Sequence, residues 1–320
     1  MGTAPPIDQF YGLREPAFGL TSDRGFTYPS HSHSHALQQV SEGLQRREEL
    51  IVVTGEPGIG KTTLCRTLLG TFESRTFVSA ILDPCRSVDA LLHQVLTDFG
   101  LMIDANHPMR SLTEVTRHQL MTTLQRFLAS LVPLGAHAVI VIDEAQDMDA
   151  TLLDTIRLLS NFESGSARLL QVVLVGEPAL NSLLRRHDMR ALAQRIAGRL
   201  DLRPLDGPEV AEYIEHRIAA AAAVPPPESG ETPPLFTPEA ALAVAAISRG
   251  IPALVNLVCE GALDVGRERT ARTIDPAIVL AGAKRSGLRI PASFRLRRVP
   301  GLRTAAAAIE RAAGKPRSRS

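Results

Sequence analysis

The chain has 320 residues, 44% of them hydrophobic and 22% charged, which is enough apolar material for two globular cores and unlike a disordered or collagen-like polymer. The formal charge of +1 conceals a polarity: residues 284–320 carry eleven Lys or Arg against one acid, Glu310, a local +10 that leaves −9 on the remainder. Three cysteines (Cys65, Cys85, Cys259) stand far apart with no CxxC pair, which argues against a disulfide framework or a zinc site and fits a reducing, cytoplasmic compartment. The opening MGTAPPIDQFYGL lacks the basic-then-apolar pattern of a signal peptide, and no apolar run approaches the roughly 20 residues of a membrane span.

Residues 1–35 show little periodicity and several Pro, Gly and Ser, which predicts an extended lead-in. Positions 50–54 (LIVVT) form a short apolar strand that runs into a glycine-rich turn, and 61–72 read as the helix after it. A strand at 76–82 and helices at 88–99 and 112–131 follow, then a wholly apolar strand at 138–142. A helix at 151–162, an apolar strand at 169–175 and a short strand at 200–202 complete this half. Strands that are continuously apolar and separated by helices indicate an α/β fold, its parallel sheet covered on both faces. Beyond Pro204 the pattern turns helical, at 208–223, 238–249, 252–267 and 276–284, with proline at first-turn positions and a Pro-rich loop at 225–234. The expected organisation is a lead-in at 1–35, an α/β core at 36–204, a helical domain at 205–285 and a basic, disordered tail at 286–320.

Gly55-Glu56-Pro57-Gly58-Ile59-Gly60-Lys61-Thr62 matches G-x-x-x-x-G-K-[ST] in full, between a predicted strand and a predicted helix. Glycines let backbone N–H groups close on phosphate oxygens, and the helix N-terminus adds a favourable dipole. On this reading 55–63, including Thr63, bind the phosphates of ATP; Lys61 neutralises the β- and γ-phosphates and the Thr62 hydroxyl ligates Mg²⁺. The second half of the site is Val139-Ile140-Val141-Ile142-Asp143-Glu144-Ala145-Gln146, an apolar strand that delivers two acids to the carboxyl edge of the sheet. Asp143 is the expected second holder of Mg²⁺, and Glu144 the base that deprotonates the attacking water. The alternating His31, His33 and His35 lack a carboxylate or cysteine companion and read as a hydrophilic loop rather than a metal site.

With these motifs stand Phe10-Tyr11-Gly12-Leu13, Phe18, Tyr28, His33, Asp143-Glu144-Ala145-Gln146, Gln194-Arg195-Ile196, Gly250-Ile251-Pro252 and Asn256-Leu257-Val258-Cys259. Together they resemble the ExeA/GspA-type (general secretion pathway protein A-like) ATPases of the AAA+ class, over residues 7–285. The resemblance implies a P-loop AAA+ core followed by a helical lid, and ATP at the subunit boundaries of a homo-oligomer. It also implies a partner protein, in secretion or membrane assembly for some relatives and in DNA transposition for others. In that pattern Arg195 is the arginine lent to a neighbouring subunit, with Arg190 as its alternative and Arg185, Arg186 and Arg199 nearby, and His33 packs near the nucleotide's base. Two positions depart from it. Ala253 replaces the lid arginine, with Arg249 displaced beside it, and Glu177 replaces a glutamine after the fourth strand, where a carboxylate repels phosphate and slows hydrolysis. The basic tail is an alternative route to DNA, through backbone phosphates.

Overall fold

A computed structural model of the chain describes residues 6–19, 24–83, 85–101, 116–164, 167–223 and 234–288. Its strands are β1 (Leu50–Thr54), β2 (Thr76–Ile81), β3 (His137–Ile142), β4 (Glu163–Ser164), β5 (Ala167–Arg168), β6 (Leu170–Gly176) and β7 (Ile196–Asp201). Its helices are α1 (Ile7–Tyr11), α2 (His31–Gln45), α3 (Lys61–Leu69), α4 (Val88–Asp98), α5 (Arg117–Leu131), α6 (Ala150–Ser160), α7 (Pro178–Leu184), α8 (Arg190–Ala193), α9 (Gly207–Ala221), α10 (Pro238–Ser248), α11 (Pro252–Glu268) and α12 (Pro276–Arg285). The chain divides into two compact units, His31–Arg203 and the described residues of Met1–Ser30 with Pro204–Ser320. The expectations at 112–115, at 225–233 and for the tail beyond residue 288 lie outside the described residues. Among those described, no helix is long and apolar enough to cross a membrane.

The first unit is built on a five-stranded parallel sheet in the order β2-β3-β6-β1-β7. Alternate residues of its inner strands face opposite ways. Leu50, Val52, Ile140, Ile142, Val172 and Leu174 enter one core with α4, α5 and α6, while Ile51, Val53, Val139, Val141, Val173 and Val175 enter another with α2 and α3. With both faces covered, both sets are apolar, so these strands read as nearly continuous apolar runs. Each such side chain contributes about 1.5–3 kcal/mol on burial. The buried exception in β6, Gln171, donates to the carbonyls of Leu44 and Glu48. The helices are fixed at their starts by side-chain caps: Ser87 accepts from the Ala90 N–H, Asp149 from the Leu152 N–H, and Thr116 with Gln119 forms a reciprocal capping box.

Strand β7 differs from the expected 200–202. It lies at the sheet edge, beside β1 alone, and alternates half-buried Ile196, Gly198 and Leu200 with exposed Ala197, Arg199 and Asp201. Cover on one face produces a period-2 pattern rather than an apolar run, so only its last residues read as strand in the sequence.

In the second unit α9, α10, α11 and α12 surround a core to which the chain's opening contributes Leu13, Ala17, Phe18 and Phe26. The described residues of this opening, 6–19 and 24–35, are therefore not the extended lead-in expected: they include α1, and His31 begins α2. The Tyr11 hydroxyl donates to the carbonyls of Leu263 (3.1 Å) and Ala271 (3.3 Å). Arg217, buried at 4% exposure, donates to the carbonyls of Ala17 and Gly19, both at 2.7 Å, with its guanidinium over the Phe26 ring. Tyr213 donates to the Asn256 amide oxygen at 2.9 Å, and Tyr28 to Glu212 at 2.6 Å. Burial and that hydrogen bond push the Tyr28 hydroxyl above its ordinary range. At Gly250 the backbone has φ +74°, and a Cβ there would lie 1.9 Å from the Leu205 carbonyl oxygen, so no other residue fits.

Candidate functional site

The parallel register pairs Thr54 with Gly176 and with Asp201, and Ile142 with Leu174, so β1, β3, β6 and β7 end along one edge. Chain segments leaving that edge carry most of the residues singled out above. The 55–60 loop joins β1 to α3, which opens at Lys61. Ile59 is fully buried and anchors the loop in the α2–α3 core, while Glu56, Pro57 and Gly58 are exposed. Gly60 is required twice over: its φ is +107°, and a Cβ would meet His33 Nε2 at 2.7 Å.

Lys61 is 4% exposed and donates to the carbonyls of Gly55 (3.3 Å) and Glu56 (3.5 Å), so its ammonium sits inside the curve of the loop. The Thr62 hydroxyl donates to Asp143 Oδ2 at 2.6 Å. Asp143, 1% exposed, accepts through Oδ1 from the Glu144 N–H at 2.9 Å. That bond accompanies a left-handed backbone at Glu144 (φ +49°), an uncommon conformation for a residue with a side chain, where the chain turns from β3 into a single 3-10 turn, Ala145–Asp147. Gln146 Nε2 donates to Glu144 Oε2 at 2.7 Å, and Gln146 Oε1 accepts from the Glu177 N–H at 2.8 Å. Under α3, burial and then the charge of Asp143 push the Cys65 thiol up to about 12, and burial raises Cys259 likewise. These are inert core thiols.

Lys61, Thr62, Asp143 and Glu144 are thus brought together, with Thr63 exposed on the first turn of α3. Arg195 is not. It precedes β7, where Ile196 pairs with Leu50 at the opposite edge of the sheet, and it forms an ion pair with Glu49, as does Arg168. Glu49 is 6% exposed. The histidine segment is the first turn of α2 rather than a loop, because Ala36, Val40 and Leu44 give α2 a buried stripe at helical spacing. His31 and His35 stack on each other with centroids 6.4 Å apart, His33 lies against Gly60, and among the described residues no three metal-ligating side chains converge. Glu177 is half-buried and acts here through its backbone N–H, which a glutamine would offer equally. In the helical unit Ala253 lies in the first turn of α11, and exposed Arg249 ends α10 in a left-handed conformation (φ +53°). Gln146 was present in the sequence motif with no role assigned; only its two partners reveal one.

Comparison with known proteins agrees with this geometry. Residues 44–184 match the family model described as AAA domain. General secretion pathway protein A of Aeromonas hydrophila is 35% identical over 282 residues, which is 88% of this chain. The chain belongs to the AAA+ ATPase family of the general secretion pathway protein A type. It spans 49% of that relative's length. Among solved structures, Cdc6p of Pyrobaculum aerophilum superposes with a TM-score of 0.63 at 16% identity, covering 84% of this chain and 70% of that one. The ORC2 protein of Aeropyrum pernix, in ADPNP–ADP complexes, gives 0.58 at 14% identity, covering 88% and 76%. At such identities the likeness establishes the AAA+ fold: a parallel P-loop sheet with helices, and a helical C-terminal region.

Proposed function

We propose that this AAA+ chain binds ATP with Mg²⁺ and hydrolyses it to ADP and phosphate, driving or switching a partner assembly in the cytoplasm. The observation that carries this reading is the 2.6 Å bond between Thr62 and Asp143, which joins the phosphate loop to the acidic end of β3. Two hard oxygen donors at that separation suit Mg²⁺, which takes few protein ligands and fills its octahedron with water and phosphate. Thr62 and Asp143 would hold the ion, whose charge would offset that of the phosphates. The loop N–H groups receive the phosphates, and the Lys61 ammonium, already turned into the loop, neutralises them. Glu144 takes the proton of the attacking water. Arg195 faces away from its own site, so an effect on hydrolysis would act on a neighbouring copy in a homo-oligomer, and Glu49 would have to release it.

Glu144→Gln tests the turnover step. It is expected to keep ATP affinity and lose at least about a hundredfold in phosphate release, since an amide cannot accept the proton. Wild-type protein that binds ATP yet releases no phosphate, alone or with host extract, would reduce the reading to nucleotide binding. The name of the relative at 35% identity, general secretion pathway protein A, supports a secretion assembly as the proposed partner. A second reading, a nucleotide-dependent DNA-binding regulator, is favoured by one observation: the eleven bases against one acid in residues 284–320.

A further inference from the structure

The Gln146 carboxamide is committed at both ends. Glu177 presents a backbone N–H, which can only donate, so the amide oxygen must face it and the NH₂ must face Glu144. The orientation of the amide is therefore fixed by chemistry. The space around it is fixed as well: a Cβ on Gly176 would lie 2.7 Å from Gln146 Oε1 and 3.1 Å from Leu180 Cδ2, so the end of β6 admits the amide only because residue 176 is glycine. Glu144 itself leaves β3 in a left-handed turn, and among the described residues its carboxylate has no side-chain partner other than Gln146.

Resting on the ATPase reading above, we propose that Gln146 is the positioning residue for the base. It holds one carboxylate oxygen of Glu144 and ties it to the β6–α7 turn at Glu177, leaving the other oxygen to face the attacking water. A carboxylate on a long side chain has several rotamers, and a base must be within hydrogen-bond reach of its proton, so fixing one oxygen raises the fraction of time the other is in place. The link also gives the base a mechanical connection to α7, whose Asn181 donates to Thr54 Oγ1 at 3.1 Å, directly before the phosphate loop. Movement of α7 would be felt at both the loop and the base.

Steady-state ATP hydrolysis by the full chain tests this, with nucleotide binding and thermal melting as folding controls. Gln146→Ala is expected to lower kcat about tenfold or more, with KM and ATP affinity within about twofold of wild type. Gln146→Glu keeps an acceptor for the Glu177 N–H but turns a carboxylate toward Glu144, and should lose at least as much. If Gln146 only braced the turn, Gln146→Glu would retain activity; that result overturns the proposal. In the Glu144→Gln background, Gln146→Ala should add no further loss in single turnover, whereas an additive loss would overturn it. Gln146→Met, close in volume, replaces the alanine variant if that one does not fold. Wild-type protein without phosphate release defeats the ATPase reading itself, while active wild type with an equally active Gln146→Ala defeats this inference alone.

Discussion

Thr62 and Asp143 are 81 positions apart in the chain and share a hydrogen bond of 2.6 Å. One comes from the helix after β1 and the other from the end of β3, with β6 between those strands in the sheet. That bond marks where two separately encoded halves of the site meet. Asp143→Asn weakens the anionic donor without removing it, and should abolish most of the gain in ATP affinity that Mg²⁺ provides. Titrating a fluorescent ATP analogue with Mg²⁺ and with EDTA checks it. An unchanged Mg²⁺ dependence would remove Asp143 from the metal site.

Lys61→Ala removes the buried ammonium that lies against the carbonyls of Gly55 and Glu56. ATP affinity is expected to fall at least tenfold, about 1.4 kcal/mol, in protein that still melts cooperatively. Calorimetric titration measures this directly, and equal affinity in folded variant protein contradicts the phosphate-loop assignment.

Arg195 carries two consequences. Its ion pair with Glu49 is shared with Arg168, so Arg195→Ala leaves the buried carboxylate one partner and should cost only about 1–2 kcal/mol of stability. Its position at the far edge of the sheet also restricts any catalytic effect to a neighbour. Arg195→Ala should then lose hydrolysis, keep ATP, and recover activity in part when mixed with Glu144→Gln protein. No recovery at any ratio, with mixed oligomers demonstrated, would leave it as the partner of Glu49 only.

Deleting residues 289–320 removes nine of the eleven C-terminal bases; the other two, Lys284 and Arg285, belong to α12, where Arg285 pairs with Asp264 and Glu268. ATP binding is expected to survive. If the chain binds DNA through backbone phosphates, the deletion should weaken binding at low salt and flatten its dependence on salt concentration. Identical titrations of full-length and shortened protein would dispose of the DNA reading.

The sequence exposed the parts of this molecule whose physics is local. Strands β1, β3 and β6 declared themselves because each is covered on both faces, and the phosphate loop because glycine and lysine spacing is dictated by phosphate itself. The opening segment was misjudged for the opposite reason: α1 has five residues, too few for a helical period, and Tyr11 is held by carbonyls 252 and 260 positions away. Short helices α7, of seven residues, and α8, of four, also escaped notice, since neither is long enough to display a helical period. Glu177 looked like an altered chemical group, yet the contact made there is main-chain, and residue identity carries no record of such a contact.

The helical core takes Leu13, Phe18 and Phe26 from before the sheet and Ile278 and Val279 from far beyond it. A ribosome therefore releases the two sides of that core at opposite ends of its work. The sheet, whose strands all lie between, can close before any of α9, α10, α11 and α12 has emerged. Through that interval Phe18, Phe26 and Tyr11 have no permanent neighbours, and they are the apolar surface a chaperone would meet on the growing chain.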